Sequence, residues 1–330
     1  MTGIKLGGLL ALAFLLVGCG NDDDKKTSKS DSGTPSGWQA AVGADGAFAQ
    51  TFDGVTWSTR TLVPHDLFAV TCVGNLDGWA AGESGFVGRT RDGGETWQKQ
   101  GSGTSDALRT VHFAHDHHAA TATYTGVTAG DNGYLAVSND GGDSWKAVDT
   151  GTSVTLRGAS AALNADLIVV VGDAGTVLST TDLGKTWHSQ TLPGAGDLRA
   201  VDMAPNGSVI VSVDSKGQIW ASKDLGKTFA LEATAKGPLN GVAIAADASK
   251  GLAAGDGGIA LRRDAAGNWT ETLTGSTERL NAAMITHDGV REYLAGEAGT
   301  LLGAAGLGSW EKPALGTSAT LYGLEDLDPH

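Results

Sequence analysis

The chain has 330 residues, with 23 Lys and Arg against 37 Asp and Glu, so its formal net charge is −14 at pH 7. An acidic balance of this size argues against nucleic acid as a partner and against attachment to an anionic membrane by charge alone. The two cysteines, Cys19 and Cys72, exclude an extensive disulfide framework.

The first 18 residues have the pattern of an export signal. Lys5 is the only charge before an apolar run over residues 9–17, and this run is too short to span a bilayer as a helix. It ends in Leu16-Val17-Gly18-Cys19, which resembles the bacterial lipoprotein signal. The resemblance implies cleavage before Cys19 and lipid modification of that cysteine. An ordinary secretory signal with an incidental cysteine is the alternative.

Residues 19–36 are predicted to be a lipidated cysteine and a flexible tether. Residues 20–36 contain no large apolar side chain, so they cannot bury enough surface to offset chain entropy. We therefore expect a cell-envelope location with membrane contact through the lipid anchor only. Gly20 after the cysteine favours the outer membrane or cell surface over the inner membrane. With Cys19 modified, Cys72 has no disulfide partner, and its apolar strand predicts a buried, inert thiol.

From residue 37 onward the sequence repeats with a period near 42 residues. The octapeptide at residues 90–97, Thr-Arg-Asp-Gly-Gly-Glu-Thr-Trp, returns with changes at 138–145, 180–187 and 222–229. Its closing aromatic residue marks seven periods, spaced 40 to 48 residues apart: Trp57, Trp97, Trp145, Trp187, Phe229, Trp269 and Trp310. A fixed period of this length indicates a repeat architecture.

The octapeptide resembles the Asp-box, or BNR repeat, whose pattern is Ser/Thr-x-Asp-x-Gly-x-Thr-Trp. A short aspartate in a turn can accept several backbone N–H groups, and glycine supplies the backbone angles that the turn needs. The tryptophan is predicted to pack inward. These residues build the fold and say little about a ligand. The structural aspartates are Asp53, Asp92, Asp140, Asp182, Asp224 and Asp264, and the last period has lost its aspartate.

Each period predicts four short strands, here called A to D. In the period closed by Trp97 they cover roughly residues 67–73, 78–82, 86–91 and 96–100. Short strands at regular spacing, glycine-rich turns and no helical periodicity indicate an all-β fold. Four strands in a period of this length is the pattern of a propeller blade.

The two ends of the chain complete each other. The first period offers only strands B, C and D, at residues 38–43, 47–51 and 56–61, whereas an A-type strand at 320–324 follows the last period. Pairing these pieces would complete the first blade and remove an exposed sheet edge. We therefore predict one domain over residues 37–330, a seven-bladed β-propeller of four-stranded blades whose C-terminal strand joins the N-terminal blade.

A second pattern marks the A strands, where a leucine precedes a residue that varies round the ring. We call these seven positions the arc residues: Phe68, Arg109, Arg157, Arg199, Asn240, Asn281 and Tyr322. With Gly-Asp/Glu-x-Gly at the B–C turn and the Asp-box, the pattern resembles the repeats of the photosystem II assembly and stability factor family. The resemblance implies a non-enzymatic propeller that binds proteins during assembly and contacts the client protein through a patch of its own arginines. Only Arg109, Arg157 and Arg199 match that patch, whereas Asn240 and Asn281 depart from it.

The arc arginines have two interpretations. Most B–C turns, which share a propeller face with the start of the A strands, carry a carboxylate: Glu83, Asp131, Asp173, Asp214, Asp256 and Glu297. Because arginine pairs well with carboxylates, these neighbours could engage the arginines and tie blade to blade. Alternatively, the arginines form a cationic arc beside Phe68 and Tyr322 that receives a carboxylate or acidic peptide of a partner.

A histidine-rich segment raises the question of a metal. Residues 112–118 contain four histidines and an aspartate: His112, His115, Asp116, His117 and His118. Imidazole and carboxylate groups suit zinc or copper, but the segment is the end of an A strand and a loop. A solvated polar loop is the preferred interpretation, so we expect no metal and no cofactor.

Enzymatic propellers are the alternative class, because Asp-boxes also occur in sialidases and xyloglucan hydrolases. The Ile-Pro of the sialidase signature is absent, and Tyr124, Tyr134, Tyr293 and Tyr322 lack the context of a nucleophile. We therefore predict no enzyme and no catalytic residues. The leading hypothesis is a monomeric, lipid-anchored scaffold that binds a protein partner of unknown identity in assembly or stabilisation of an envelope complex. A carbohydrate-binding or sialidase-like glycoside hydrolase propeller is the second hypothesis, and a purely structural surface lipoprotein is the third.

Overall fold

The structure is a computed structural model that describes residues 39–73, 76–115, 124–163 and 166–326, with His115 described by its backbone alone. The predictions for the signal segment 1–18, for the tether 19–36 with Cys19, and for Asp116, His117 and His118 lie outside these residues. Within the described ranges, no helix is long and apolar enough to cross a membrane.

The described residues form seven antiparallel sheets, one for each predicted period. Blade 1 contains β1 (Gln39–Gly43), β2 (Ala47–Thr51), β3 (Ser58–Thr61) and the C-terminal strand β27 (Leu321–Asp326). Blade 2 contains β4 (Leu67–Val73), β5 (Asp77–Gly82), β6 (Phe86–Thr90) and β7 (Gln98–Gly101). Blade 3 contains β8 (Leu108–His115), β9 (Tyr124–Gly130), β10 (Leu135–Ser138) and β11 (Lys146–Ala147). Blade 4 contains β12 (Leu156–Ala161), β13 (Ile168–Gly172), β14 (Thr176–Thr180) and β15 (His188–Thr191).

The remaining blades follow the same order. Blade 5 contains β16 (Leu198–Met203), β17 (Ile210–Asp214), β18 (Gln218–Ser222) and β19 (Ala230–Thr234). Blade 6 contains β20 (Leu239–Ile244), β21 (Gly251–Gly255), β22 (Ile259–Arg263) and β23 (Trp269–Leu273). Blade 7 contains β24 (Leu280–Ile285), β25 (Arg291–Gly296) and β26 (Leu301–Ala305). Short 3₁₀ turns form the B–C connections of blades 1, 3, 4 and 6: Ala44–Gly46, Asp131–Gly133, Asp173–Gly175 and Asp256–Gly258.

The first blade is completed by the end of the chain. β27 pairs antiparallel with β1, with Ala40 opposite Glu325, and the sheet order is β27-β1-β2-β3. At the end of this ladder, the Ala44 amide donates to the Thr320 carbonyl over 2.8 Å. The predicted ring closure and the count of seven blades are therefore confirmed.

Blade 7 departs from the four-strand prediction. Its sheet contains three strands in the described part of the chain, and a single bridge between Gly303 and Glu311 occupies the fourth position. This period has lost the Asp-box aspartate that precedes Trp310 in the pattern, so the turn lacks its acceptor. Pro313 follows, and proline has no N–H to donate to a strand ladder. The residues after Trp310 therefore form one bridge, at Glu311, and no regular fourth strand.

The Asp-box aspartates hold their turns through hydrogen bonds. The Asp92 carboxylate accepts the Thr96 amide at 2.8 Å, the Thr96 hydroxyl at 2.6 Å and the Thr90 hydroxyl at 2.8 Å. Hydrogen bonds from the Thr96 hydroxyl, then from the Thr96 amide, lower the pKa of Asp92 to about 2, because they stabilise the ionised form. Comparable bonds occur at the other positions: Asp53, Asp140, Asp182, Asp224 and Asp264.

The core lies between neighbouring blades. The leucines that open the A strands are all fully buried: Leu67, Leu108, Leu156, Leu198, Leu239, Leu280 and Leu321. Burying one leucine side chain stabilises the fold by about 1.5–3 kcal/mol, so these seven leucines make a large contribution to the packing between blades. Polar contacts add to the packing, because Trp79 and Arg89 of blade 2 both donate to the Gly141 carbonyl in the Asp-box turn of blade 3, at 3.0 and 2.7 Å. Cys72 is free and buried in this core.

Candidate functional site at the mouth of the channel

Every A strand carries a β-bulge at its arc residue. In blade 3, Leu108 stands opposite Gly130 and Thr110 stands opposite Ala129, so Arg109 has no partner of its own in the ladder. The same register shift skips the arc residue of every other blade. A bulge re-aims the side chain of its extra residue. Here it brings the seven arc residues together round one end of the central channel, which we call the mouth.

Two arc arginines are engaged by carboxylates. Arg109 donates to the two oxygens of Asp131 at 2.9 and 2.8 Å, and Arg157 donates to both oxygens of Asp173. The hydrogen bonds lower the pKa of Asp131 and raise the pKa of Arg157. The expected pairing is therefore present at these two arginines. However, each pair lies within one blade, so the expectation that these pairs tie neighbouring blades together is wrong.

Arg199 differs, because the carboxylate expected beside it points elsewhere. Asp214 stands opposite Leu198 in the ladder, at the position where blades 3 and 4 have the glycine of the turn motif. A shift of one residue moves a side chain to the other face of a strand. Asp214 is fully buried and accepts the Gly196 amide at 2.8 Å and the Trp220 indole N–H at 3.2 Å. The expected pairing of Arg199 with Asp214 is therefore wrong.

Arg199 donates instead to the side-chain oxygen of Asn240 in the next blade. The same oxygen accepts a hydrogen bond from Arg279 at 3.2 Å, and Arg279 pairs with Asp256 at 3.2 Å. Within the described ranges, Arg199 forms no ion pair with a carboxylate. Burial, followed by the positive charge of Arg279, lowers the pKa of Arg199, which is the opposite of the shift at Arg157. Arg199 is thus a partly buried cation whose side-chain hydrogen bond, in the described part of the chain, is to an amide, with the Asp256 and Asp197 charges nearby but not in ion-pair contact.

The two arc asparagines tie neighbouring blades together. Asn240 of blade 6 donates to the Leu280 carbonyl of blade 7 at 2.9 Å. Asn281 of blade 7 donates to the Leu321 carbonyl of the closing strand, also at 2.9 Å. Contact between blades, the role expected of the arginines, is therefore made by these two amides and by Arg199, which donates to Asn240 of the next blade.

Phe68 and Tyr322 form the aromatic side of the mouth. Their rings are tilted, with centroids 5.6 Å apart, and the Arg109 guanidinium lies over the Phe68 ring at 4.4 Å. Burial raises the pKa of the Tyr322 hydroxyl, and the nearby Asp66 carboxylate adds to the shift. The mouth therefore has an aromatic sector at blades 1 and 2 and a cationic sector, Arg199 with Arg279, across the ring.

The mouth and the channel behind it form one open cavity of about 360 Å³. Its wall includes His112, Asp202 and Glu325 from three different blades. Burial lowers the pKa of His112 to about 4 and raises the pKa of Asp202 to about 6. Among the side chains that the structure describes, no three His, Cys, Asp or Glu groups converge as metal ligands. His112 therefore belongs to the channel wall, and the rest of the histidine segment lies outside the described side chains.

Fold and site together define a class, a seven-bladed Asp-box propeller whose bulged A strands present variable residues at one mouth. The family model described as photosynthesis system II assembly factor YCF48 matches residues 100–310, which is more than half of the chain. The chain belongs to this YCF48 family. No curated protein sequence matches it.

Two solved structures share the fold. YCF48 bound to D1 peptide is 19% identical in sequence, covers 82% of this chain and 88% of its own, and superposes with a TM-score of 0.64. YCF48 from Cyanidioschyzon merolae is 18% identical, covers 81% of this chain and 88% of its own, and superposes with a TM-score of 0.60. At this identity the similarity establishes the common fold alone.

Proposed function

We propose that this chain is a non-enzymatic scaffold that binds a protein partner at the mouth, in assembly or stabilisation of an envelope complex. Membership of an assembly-factor family supports the role. The relative bound to a D1 peptide supports a peptide segment as the ligand. The single observation that carries the proposal is Arg199, a partly buried cation that hydrogen-bonds an amide and, in the described ranges, pairs with no carboxylate.

The geometry favours a carboxylate on the partner. A guanidinium has five N–H donors, and among the described residues Arg199 uses them for a hydrogen bond to Asn240 alone. Bonds between a guanidinium and a carboxylate are about twice as strong as neutral ones. Arg109 and Arg157 are already neutralised by aspartates, so they add little attraction for an acidic group. An acidic side chain or a chain-terminal carboxylate is therefore expected at Arg199, with Arg279 beside it.

The aromatic sector supplies the second contact. Phe68 and Tyr322 lie across the mouth from Arg199, and aromatic side chains are frequent energetic anchors in protein interfaces. The partner segment that we infer thus combines one carboxylate with one apolar side chain. A peptide with both groups can contact the cationic and the aromatic sector at once, whereas a carboxylate alone contacts only the cationic sector.

The partner can be captured by a photoreactive residue placed at the mouth. We replace Phe68 with p-benzoylphenylalanine, which keeps an aromatic ring, and irradiate cells of the native host. The control carries the same group at Leu273, which is 91% exposed on β23. We expect a protein of the envelope to crosslink at position 68 and not at position 273. The same crosslinks at both positions, or none at position 68, would contradict binding at the mouth.

The glycosidase alternative is tested on the same preparation. A scaffold is expected to leave a panel of fluorogenic glycosides unhydrolysed and to bind no member of a glycan array. Turnover that is lost when the channel carboxylates Asp202 and Glu325 are replaced by their amides would reverse this assignment.

We also propose that the chain is anchored by lipid at Cys19, in the cell envelope at the outer membrane or cell surface, and acts as a monomer. The lipoprotein-like residues 16–19 and the polar tether over residues 20–36 support the anchor. Growth with an alkyne-tagged fatty acid tests it. We expect labelled wild-type protein in the membrane fraction and unlabelled, released protein for Cys19→Ala. An unlabelled wild type would refute the anchor.

A further inference from the structure

Exposed apolar side chains concentrate on the face of the propeller opposite the mouth. Successive strands of each blade are antiparallel, so the A–B and C–D connections share that face, which we call the base. Nine large apolar side chains are exposed in the described ranges. Two of them, Leu231 and Leu273, lie on the outermost strands of blades 5 and 6. The other seven lie in connections at the base: Phe52, Val55, Leu76, Leu163, Leu225, Val290 and Leu307.

Four of these side chains lie together where blades 7 and 1 adjoin. The Tyr293 hydroxyl of blade 7 donates to the Gly54 carbonyl, in the C–D turn of blade 1, at 3.0 Å. In blade 7, the Gly306 amide donates to the Val290 carbonyl at 2.9 Å, which joins the A–B and C–D connections of that blade. Val290 is three residues from Tyr293 along the chain, or about 10 Å. We call the four exposed side chains of these connections the apolar patch: Phe52, Val55, Val290 and Leu307.

The apolar patch replaces polar residues of the repeat. The second position of the four octapeptides, and the position before their last Ser or Thr, are polar or charged: Arg91 and Glu95, Asn139 and Asp143, Thr181 and Lys185, Lys223 and Lys227. Blade 1 has Phe52 and Val55 at these two positions. In blade 7, Leu307 stands where the box has its glycine, and its side chain is 86% exposed. The turns therefore do not require these apolar side chains, which points to a contact outside the propeller.

The polypeptide enters the propeller beside the apolar patch. The first strand, β1, runs from the base to the mouth and begins at Gln39. Gln39 stands opposite Thr51, the residue before Phe52. A flexible chain over residues 20–38, which their composition predicts, has a root-mean-square length of about 25 Å. A lipid at Cys19 would thus keep the patch close to the bilayer surface, at a high effective concentration.

We propose that the apolar patch docks on the lipid bilayer, with the base towards the membrane and the mouth away from it. The proposal rests on the lipid anchor proposed above, and it adds a second membrane contact to the one expected of the anchor. An exposed apolar patch marks a site of protein or membrane contact. The anchored segment that enters beside this patch favours the membrane as its occupant.

The contact is apolar rather than electrostatic. The charged groups beside the patch are of both signs: Asp53, Asp288, Lys250 and Arg291. Headgroup charge therefore contributes little, and Phe52 and Leu307 enter the boundary between headgroups and acyl chains as apolar anchors. In this orientation the mouth opens to the aqueous side, so a partner segment reaches it without crossing the headgroup layer.

A photoreactive residue in the patch tests the contact. p-Benzoylphenylalanine, which inserts into nearby C–H bonds, replaces Leu307 in the full chain, and cells of the native host are irradiated. The control carries the same group at Leu273, an exposed position on the outermost strand of blade 6. We expect phospholipid adducts at position 307, read by mass spectrometry, and none at position 273. A crosslink at position 307 to a protein or to a second copy of this chain, equal lipid adducts at both positions, or no adducts at all would overturn the proposal.

Substitutions in the patch separate docking from anchoring. Phe52→Ser combined with Val55→Ser should lower the yield of lipid adducts at position 307 by roughly threefold or more, because apolar surface leaves the interface. Leu231→Ser, at an exposed leucine outside the base, should leave the yield unchanged, and each variant should keep the melting temperature of the parent. An unchanged yield for the double variant would overturn the proposal. Fatty-acid labelling of the same cells reports the anchor separately: a labelled chain without adducts at position 307 refutes docking alone, and an unlabelled chain with them refutes the anchor alone.

Discussion

Replacing Leu321 with alanine measures how firmly the C-terminal strand holds the ring. Leu321 opens β27, is fully buried, and belongs to one apolar cluster with Ala41 of blade 1 and Leu301 of blade 7. The substitution removes contacts on both sides of the closure at once. A leucine-to-alanine change at such a site typically costs about 2–5 kcal/mol, through lost burial and the cavity left behind.

Urea unfolding followed by tryptophan fluorescence gives this free energy, and thermal unfolding gives a second reading. In a domain of this size, each kcal/mol shifts the melting temperature by about 2 °C, so a decrease of roughly 4–10 °C is expected. Leu280→Ala, the same position in blade 7, should lose a similar amount, because it is also fully buried. Leu273→Ala, at a side chain that is 91% exposed, should change stability by less than about 0.5 kcal/mol. If Leu321→Ala behaved like Leu273→Ala, β27 would not be docked as described.

Three further predictions concern single side chains. Trp145→Ala should lower the free energy of unfolding by about 3–5 kcal/mol, because it leaves a cavity beside Phe113. Asp140→Ala should lower it by about 1–3 kcal/mol, because turn hydrogen bonds are lost. Urea unfolding of both variants gives the two values, and negligible decreases for both would contradict this prediction. Asp92, with its pKa lowered to about 2, should keep its turn bonds as the pH falls below 3.8 and lose them near pH 2; an NMR titration midpoint near 3.8 would disprove this. Asp214→Ala should lower the free energy of unfolding by about 1–3 kcal/mol, because the buried Gly196 amide and Trp220 indole N–H lose their acceptor. An unfolding free energy equal to that of the parent would refute this.

The architecture could be predicted because its determinants are local and repeated. Each Asp-box turn is held by an aspartate that accepts hydrogen bonds from residues two to four positions away, so the octapeptide sequence by itself predicts the turn. The seven-fold period then fixes the number of blades, and the unmatched A strand at the end of the chain fixes the closure. The fourth strand of blade 7 was the exception, since the last period had already lost the aspartate before Trp310.

The mouth could be predicted only in part. The arc residues could be identified from the leucine that precedes each of them. Their bulges could not be predicted, because a bulge depends on the pairing register of two strands, which the motif does not specify. Asp214 was assigned to the wrong position by one residue, because blade 5 replaces the glycine before the turn with this aspartate. Ser215 takes the place that Asp173 has in blade 4, and its amide donates to the backbone as that of Asp173 does.

Arg279 was missed altogether. It precedes the leucine of β24 rather than following it, so it falls outside the arc pattern. Its contacts with Asn240 and Asp256 depend on how blade 7 packs against blade 6, which no short motif encodes. An arginine directly before the leucine of an A strand is the one signal that could have marked it.

The central claim is that the mouth binds a partner through Arg199, which has no ion pair with a carboxylate among the described residues. An affinity measurement tests this claim most directly. The partner captured at position 68 is titrated against Arg199→Gln and against the double variant Arg157→Gln with Asp173→Asn, which removes an already neutral pair. Losing one charged hydrogen bond costs about 1.5–3 kcal/mol, or roughly 10- to 150-fold in Kd. We expect a weakening of this size for Arg199→Gln at an unchanged melting temperature, and a change below threefold for the double variant. Unchanged affinity for Arg199→Gln, or an equal loss in both, would contradict the account.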